Sequence, residues 1–321
     1  VTPAQKRAER VATPYTIVPP DKIQIVSYSE LDTARQCPLK HHLSYDRRWT
    51  KAPAPGGALA KGSLYHMVME THYKVLKQVQ DEHKGRIPKG LVKPTLLEAR
   101  NACYAYLVDE RTGEFLSEVH DLIAWMYDGY VDNYGVDEEY RLVAIEQQII
   151  TPLPDENGND SRYHLKAKLD LIVREWSTGF LWVWDHKSGG NLPTSMDLEI
   201  DDQFGLYVWA MRKAGKKVLG AIHSANRTQR NKTPMTLESR MSRTYLNRTD
   251  VECQNIALDA YYVAKAVYPD DPANRLRFSS PDPRQCGWKC DFKEPHLMMR
   301  KGRNPDEVMI EAGYTVNRTR H

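Results

Sequence analysis

The 321 residues carry a formal net charge of +3 and are 41% hydrophobic, which fits a soluble globular protein able to bury a substantial core as one domain or one and a half. No apolar run is long enough to span a membrane, and the N-terminal stretch has charge but no hydrophobic signal core, so the expected location is cytoplasmic. The small net charge makes no case by itself for a nucleic-acid partner, and five cysteines do not suggest a disulfide framework.

In chain order, residues 1–21 are rich in proline and charge and are expected to form a mobile arm. Residues 51–57 (KAPAPGG) read as a loop. Residues 61–78 space Leu64, Met67, Val68 and Val75 as a helix, on which His66 and Glu70 stand at i and i+4 and share a face. Both could reach a metal there, although a histidine on an amphipathic helix is more often a satisfied polar residue. Residues 94–134 are mostly helical in pattern, a wall able to narrow access to a site. Residues 140–151 read as a strand carrying Glu146, either near a metal or solvated.

Residues 162–175 alternate, with Leu165, Ala167, Leu169, Leu171 and Val173 on one face and Asp170 on the other. Trp176-Ser177-Thr178-Gly179 then suits a hairpin loop. The next strand, 180–186, puts Leu181, Val183, Asp185 and Lys187 on one face and Phe180, Trp182 and Trp184 on the other. If those four residues are the whole loop, Asp170 falls opposite Asp185. Two paired carboxylates beside a lysine are the minimal kit for metal-assisted phosphodiester hydrolysis. The competing reading is a surface hairpin with a cross-strand ion pair of little worth.

Beyond it, residues 198–213 read as a helix with Gln203 and Tyr207 on one face and Gly215 as C-terminal cap. A strand follows at 217–224. Between residues 226 and 248, Arg227, Arg230, Lys232, Arg240, Arg243 and Arg248 face a single acid, Glu238, a run able to track DNA phosphates or simply to be a solvated loop. A helix over 250–267 returns the chain to Cys286 and Cys290. Cys103 and Cys253 sit among apolar helical neighbours and read as core thiols. No internal repeat and no G-x-x-x-x-G-K-[S/T] phosphate loop occur, so the chain carries no helicase motor of its own.

Five short motifs in this order resemble the RecB-type branch of the PD-(D/E)XK nuclease superfamily, including the CRISPR-associated RecB-like exonucleases and their phage relatives. The resemblance runs from about Ile25 to His296. Ser27-Tyr28-Ser29-Glu30-Leu31 followed by Cys37-Pro38-Leu39-Lys40 is similar to that family's opening helix. Gly62-Ser63-Leu64-Tyr65-His66 resembles its histidine motif, and Ala167-Lys168-Leu169-Asp170 its first acidic motif. Asp185-His186-Lys187 resembles the D-x-K element, and Gln203-Phe204-Gly205-Leu206-Tyr207 the Q-x-x-x-Y helix. Ala167 stands where the family usually has glycine, a weaker but strand-compatible match.

The resemblance implies an α/β restriction-endonuclease-like core, a central mixed sheet flanked by helices, with a helical insertion at 58–138 and a C-terminal cysteine metal-binding loop. The nuclease domain would span 22–300, with 37 and 286–296 forming the metal-binding subdomain and 301–321 a tail. His66, Asp170, Asp185 and the carbonyl of His186 would hold Mg²⁺ or Mn²⁺, the imidazole leaning towards Mn²⁺. Lys187 would orient or deprotonate the attacking water and offset charge on the phosphate. Gln203 and Tyr207 would support the site or touch the DNA backbone.

Relatives also join one N-terminal cysteine to three C-terminal ones around a 4Fe–4S cluster, and His296 stands where the last cysteine is commonly found. The implied ligand set is Cys37, Cys286, Cys290 and His296. Imidazole does ligate iron in some iron–sulfur centres, a zinc with three Cys and one His is equally sound, and a third reading has the thiols merely packing the terminus. His41 or His42, close to Cys37, could replace His296.

The expected activity is thus a metal-dependent DNA exonuclease of a bacterial or phage-infected host cell, acting on single-stranded DNA from an end, the 5′ end favoured, with a helicase or recombination partner. Two alternatives stand beside it: a non-catalytic DNA-end-binding or assembly module of the same fold, and an RNA-directed or structure-specific endonuclease.

Overall fold

A computed structural model describes residues 22–52, 54, 56–108, 117–230, 235–288 and 290–317. The expected arm at 1–21 and Lys232 of the basic run lie outside the described residues. The main elements are β1 (Gln24–Ser27), α1 (Tyr28–Gln36), α2 (Ala58–Glu82), α3 (Val92–Val108), α4 (Ser117–Tyr134), β2 (Tyr140–Pro154), β3 (Asp160–Glu175), β4 (Leu181–Gly189), α5 (Asp202–Lys213), β5 (Val218–Arg227), β6 (Met241–Asn247) and α6 (Asp250–Val267). They divide into two compact units, one of residues up to 52, 152–166 and from 258 onward, the other of 53–151 and 167–257.

In the second unit, β3 and β4 are antiparallel, β4 and β5 parallel, and β5 and β6 antiparallel, while β2 pairs with β3. The alternation seen in the sequence sorts the side chains. Leu171, Val173, Trp182, Trp184 and Ile222 point into one core with Leu64, Val68 and Leu76 of α2, Cys103 of α3 and Ile123 and Met126 of α4. Each buried aliphatic side chain of that set contributes about 1.5–3 kcal/mol. Helix α5 packs on β4 and β5, setting Phe204 edge-on to His223 at 5.5 Å on the face away from Trp184. This is the expected mixed sheet flanked by helices.

Local signals explain the ends of α5. Asp201 caps it by accepting from the Gln203 N–H, which splits the helix expected at 198–213 from a short turn at Ser195–Glu199. At its far end Gly215 has φ +75°. The Gly215 N–H donates to the Arg212 carbonyl and the Lys216 N–H to Met211, the paired bonds of a Schellman cap. Among the described residues, the stretch expected to be helical over 94–134 holds two helices, α3 and α4. The basic run also contains a strand, β6, that its sequence pattern does not signal.

In the first unit, β1 pairs in parallel with the start of β3, Val26 opposite Leu165. Ser27 then leaves the strand and caps α1, accepting from the Glu30 N–H at 3.3 Å. A small core gathers Leu43, Trp49, Phe292, Met309 and Tyr314. Trp49–Thr50 pairs with Thr315–Val316, and Arg47 bonds Asp306 at 2.5 Å. Residues beyond 300, expected as a tail, therefore include the helix Pro305–Glu311 with Val308 and Met309 buried, because that helix presents the apolar face this core lacks.

Candidate active site

The β3–β4 hairpin holds the register anticipated for it. Its ladder runs from Arg174 opposite Leu181 to Leu171 opposite Trp184, and the next step sets Asp170 against Asp185. There the backbone pairing stops. The His186 N–H, which points towards β3, donates instead to Asp170 Oδ2 at 2.8 Å, so a side chain replaces the missing ladder partner. The same Oδ2 lies 3.1 Å from His66 Nδ1 of α2. Gly62, one turn earlier on α2, has its Cβ position 3.8 Å from Ser188 Oγ, so the helix start lies against the end of β4.

Asp185 is 3% exposed and meets Lys187 Nζ at 2.8 Å. Burial pushes its carboxyl up to about 6; Lys187 opposes that rise and the neighbouring Asp170 adds to it. Burial works against the Lys187 ammonium, yet the Asp185 carboxylate outweighs it and raises the lysine above its ordinary value. The lysine is therefore a cation at neutral pH. Burial alone would raise Asp170, but the bond and charge of His66 hold it below the usual carboxylate range, while Asp170 in turn raises His66 against its own burial.

Two further acids reach the same place. A narrow cleft, with about 180 Å³ of space counting that open to solvent, is lined by His66, Glu70, Glu146 and Asp170 with His186, and Asp185 does not line it. Glu146 has φ +52° in the middle of β2, a left-handed conformation rare outside glycine. Such an irregularity re-aims a strand side chain, here towards the cleft, where Glu146 pairs with Lys168. Glu70 pairs with Lys74 at 2.5 Å. No local pattern in β2 announced that turn.

The His186 ring points away from the acids. It is 1% exposed, 5.4 Å from the Tyr73 ring and 5.8 Å from Trp184, and burial lowers it to about 3, so it stays neutral. Only its backbone faces Asp170. Gln203 donates to the Tyr207 hydroxyl at 2.8 Å. Burial, and then the charge of Asp185, push that hydroxyl up to about 12, so the pair sits within electrostatic reach of the acid. His223, not singled out in the sequence, is the register partner of Asp185 on β5. It is kept neutral by burial and by the charge of Lys187, which bring it down to about 4.

Among the described residues, no group of three or more His, Cys, Asp or Glu side chains converges as a ready-made metal cage. Each acid is turned towards an internal donor instead: Asp170 to His66, Asp185 to Lys187, Glu146 to Lys168. The donor set nevertheless suits a hard divalent cation, being carboxylate oxygens with one imidazole. Two carboxylates at adjoining register positions, one of them raised by burial and by the other's charge, are relieved when a cation joins them.

In the first unit, Cys37, Cys286, Cys290 and His296 all line one cavity of about 510 Å³, counting the space open to solvent. The Ser280 N–H donates to Cys37 Sγ at 3.5 Å. Burial raises the Cys290 thiol, and Cys286 and Cys37 raise it further against the pull of a Phe292 hydrogen bond and of Lys40. Thiols and an imidazole are the donor types that zinc or an iron–sulfur centre takes, but among the described residues these four do not converge as a metal-holding group. His41 and His42 are engaged elsewhere, with Glu30 at 3.3 Å and Asp46 at 2.8 Å. Lys289, between the two C-terminal cysteines, lies outside the described residues.

The basic run divides. Arg243 is buried against Asp137 at 2.6 Å, and Arg248 is buried with its guanidinium on the carbonyls of Leu198 and Glu199. These two hold the fold and are not free to track DNA. Among the described residues no helix is long and apolar enough to cross a membrane.

No curated protein sequence matches this chain. Among solved structures it is similar to one titled "Crystal structure of SSO0001", at 10% identity and a TM-score of 0.32, over 90% of this chain and 94% of that one; a score that low carries no argument. Residues 25–294, which include the acidic hairpin, the His66 helix and all five cysteines, match the model of the PD-(D/E)XK nuclease superfamily, and the chain belongs to that superfamily.

Proposed function

We propose that the protein is a metal-dependent deoxyribonuclease of the RecB-like branch, degrading single-stranded DNA from an end, the 5′ end favoured. The observation that supports it most is the end of the β3–β4 ladder, with Asp170 and Asp185 at adjoining register positions and Lys187 on Asp185 at 2.8 Å. Asp170, Asp185, His66 and the His186 carbonyl would hold Mg²⁺ or Mn²⁺. Such a cation, when bound, polarises a phosphoryl oxygen and makes water more acidic.

The chain's own residues do the rest. Lys187, raised by Asp185, is charged at neutral pH, so it orients the attacking water and offsets charge on the phosphate rather than accepting a proton. His66 fixes the Asp170 carboxylate, and the buried His186 ring anchors the strand between the acids. Cys37, Cys286, Cys290 and His296 would bind a structural metal centre, an iron–sulfur cluster or a zinc, told apart by visible absorption and metal content.

The test is Mn²⁺-supported cleavage of single-stranded DNA labelled at either end, with Lys187→Ala alongside. Short-oligomer release that vanishes in the variant is expected, and the label gives the polarity. Wild-type protein that binds DNA without cutting it would overturn the reading in favour of a non-catalytic end-binding module.

A further inference from the structure

Two of the arginines of the basic run that are not buried, Arg230 and Arg240, gather on one aromatic side chain. Trp125 of α4 carries the guanidinium of Arg240 at 3.9 Å from its ring centre and that of Arg230 at 5.1 Å. Both are fixed by main-chain carbonyls: Arg240 donates to Trp125 O at 2.9 Å and Arg230 to Asp121 O. Arg227 is held the same way, its Nε donating to Gly190 O at 3.1 Å. A guanidinium has five N–H donors, so each keeps donors to spare. None of the three forms an ion pair with a carboxylate among the described residues. The nearby acids are occupied, Asp132 by Arg100 at 3.1 Å and Glu238 by Thr236.

Holding like charges on one ring costs energy unless an anion joins them. Burial and the charge of Arg230 both make Arg240 a weaker base than usual, against Asp132. The fold also makes room for the arrangement. A Cβ on Gly129 would stand 2.3 Å from Arg240 Nη2, so the absent side chain is what lets the guanidinium lie on α4.

The cluster adjoins the acidic site. Arg227 is the register partner of Gly189, two residues past Lys187 on β4, about 7 Å along the strand. The next residue back, Asn226, bonds Met126 O at 3.0 Å, which ties β5 to α4 beside Trp125.

Resting on the nuclease reading above, we propose that Arg230 and Arg240, buttressed by Trp125, and Arg227, held on Gly190 O, form a clamp for the phosphates of the single strand where it runs past the C-terminal end of β4. Recognition there is of the phosphodiester backbone and not of base sequence, because guanidinium donors held on a ring read charge.

Binding of a fluorescent oligothymidylate by the full chain, without divalent metal, tests this across a salt series. Arg230→Gln/Arg240→Gln should weaken binding about tenfold or more and flatten the slope of log affinity against log salt by about 1.4, some 0.7 for each phosphate no longer neutralised. Gly129→Ala displaces Arg240 without changing net charge, and should weaken binding while the melting temperature holds. Wild-type protein that cuts single-stranded DNA while both variants keep its affinity and salt slope would overturn the clamp and leave the nuclease reading standing. Wild-type protein that neither binds nor cuts would remove both. Equal dependence on these arginines with a duplex of the same length would overturn the single-strand assignment.

Discussion

Behind the acidic site, Asp137 and Arg243 form an ion pair at 2.6 Å with side chains 1% and 7% exposed. Asp137 also accepts from the Tyr73 hydroxyl at 2.7 Å, and Arg243 donates to Tyr130 at 2.8 Å. The Arg243 guanidinium lies over Tyr134 at 3.7 Å and Trp184 at 4.2 Å. Burial pushes the Asp137 carboxyl up and Arg243 brings it only part of the way back, while burial works against the Arg243 guanidinium and the charges of Tyr130 and Asp137 more than offset it. Asp137→Asn keeps the shape and tolerates the left-handed backbone, φ +53°. It leaves a buried guanidinium without its counter-ion, a loss of about 3–5 kcal/mol for such pairs. Two aromatic faces and a remaining amide acceptor put the expected cost at the lower end, about 3 kcal/mol. Adding Arg243→Met removes the stranded charge and should restore roughly 2 kcal/mol, since neutral replacements of buried pairs are often well tolerated. Urea denaturation at neutral pH, with the slope unchanged, measures both. An Asp137→Asn cost below about 1 kcal/mol, or a double variant no more stable than Asp137→Asn, would refute the reasoning.

The remaining predictions concern the two metal-binding expectations. Asp185 has its carboxyl raised from 3.8 to about 6, by burial first. A raised acid stabilises the fold fully below its ordinary value, and that contribution is lost as pH rises through about 6. Cation binding needs the deprotonated form, so added Mn²⁺ should raise the melting temperature more at pH 8 than at pH 5; equal increments at both would count against Asp185 as a ligand. His66→Ala frees Asp170 from its 3.1 Å partner and should raise the Mn²⁺ concentration needed for half-maximal cleavage by about tenfold or more; an unchanged titration would return His66 to a structural role. Cys286→Ser should release metal from purified protein and lower the melting temperature, whereas unaltered metal content and melting point would leave the cysteines as packing residues.

What the sequence by itself determined is the part governed by short-range geometry. A period of two and a four-residue loop set the hairpin register that brings Asp170 to Asp185, because both depend only on neighbouring residues. Gly215 stopped its helix for the same local reason. The order of short motifs was also legible, and with it the superfamily.

Tertiary structure alone decided what each charge does. A run of arginines in sequence does not encode its partners, so nothing local separates Arg243 and Arg248, buried on Asp137 and on main-chain carbonyls, from Arg230 and Arg240, stacked on Trp125. The turn of Glu146 into the cleft rests on one left-handed residue within a long strand, and the placement of His223 beside Asp185 on strand pairing across more than thirty positions. Partnership at such separations is settled by packing, since each polar group must find a donor or acceptor when water is removed, and only the assembled fold says which are within reach.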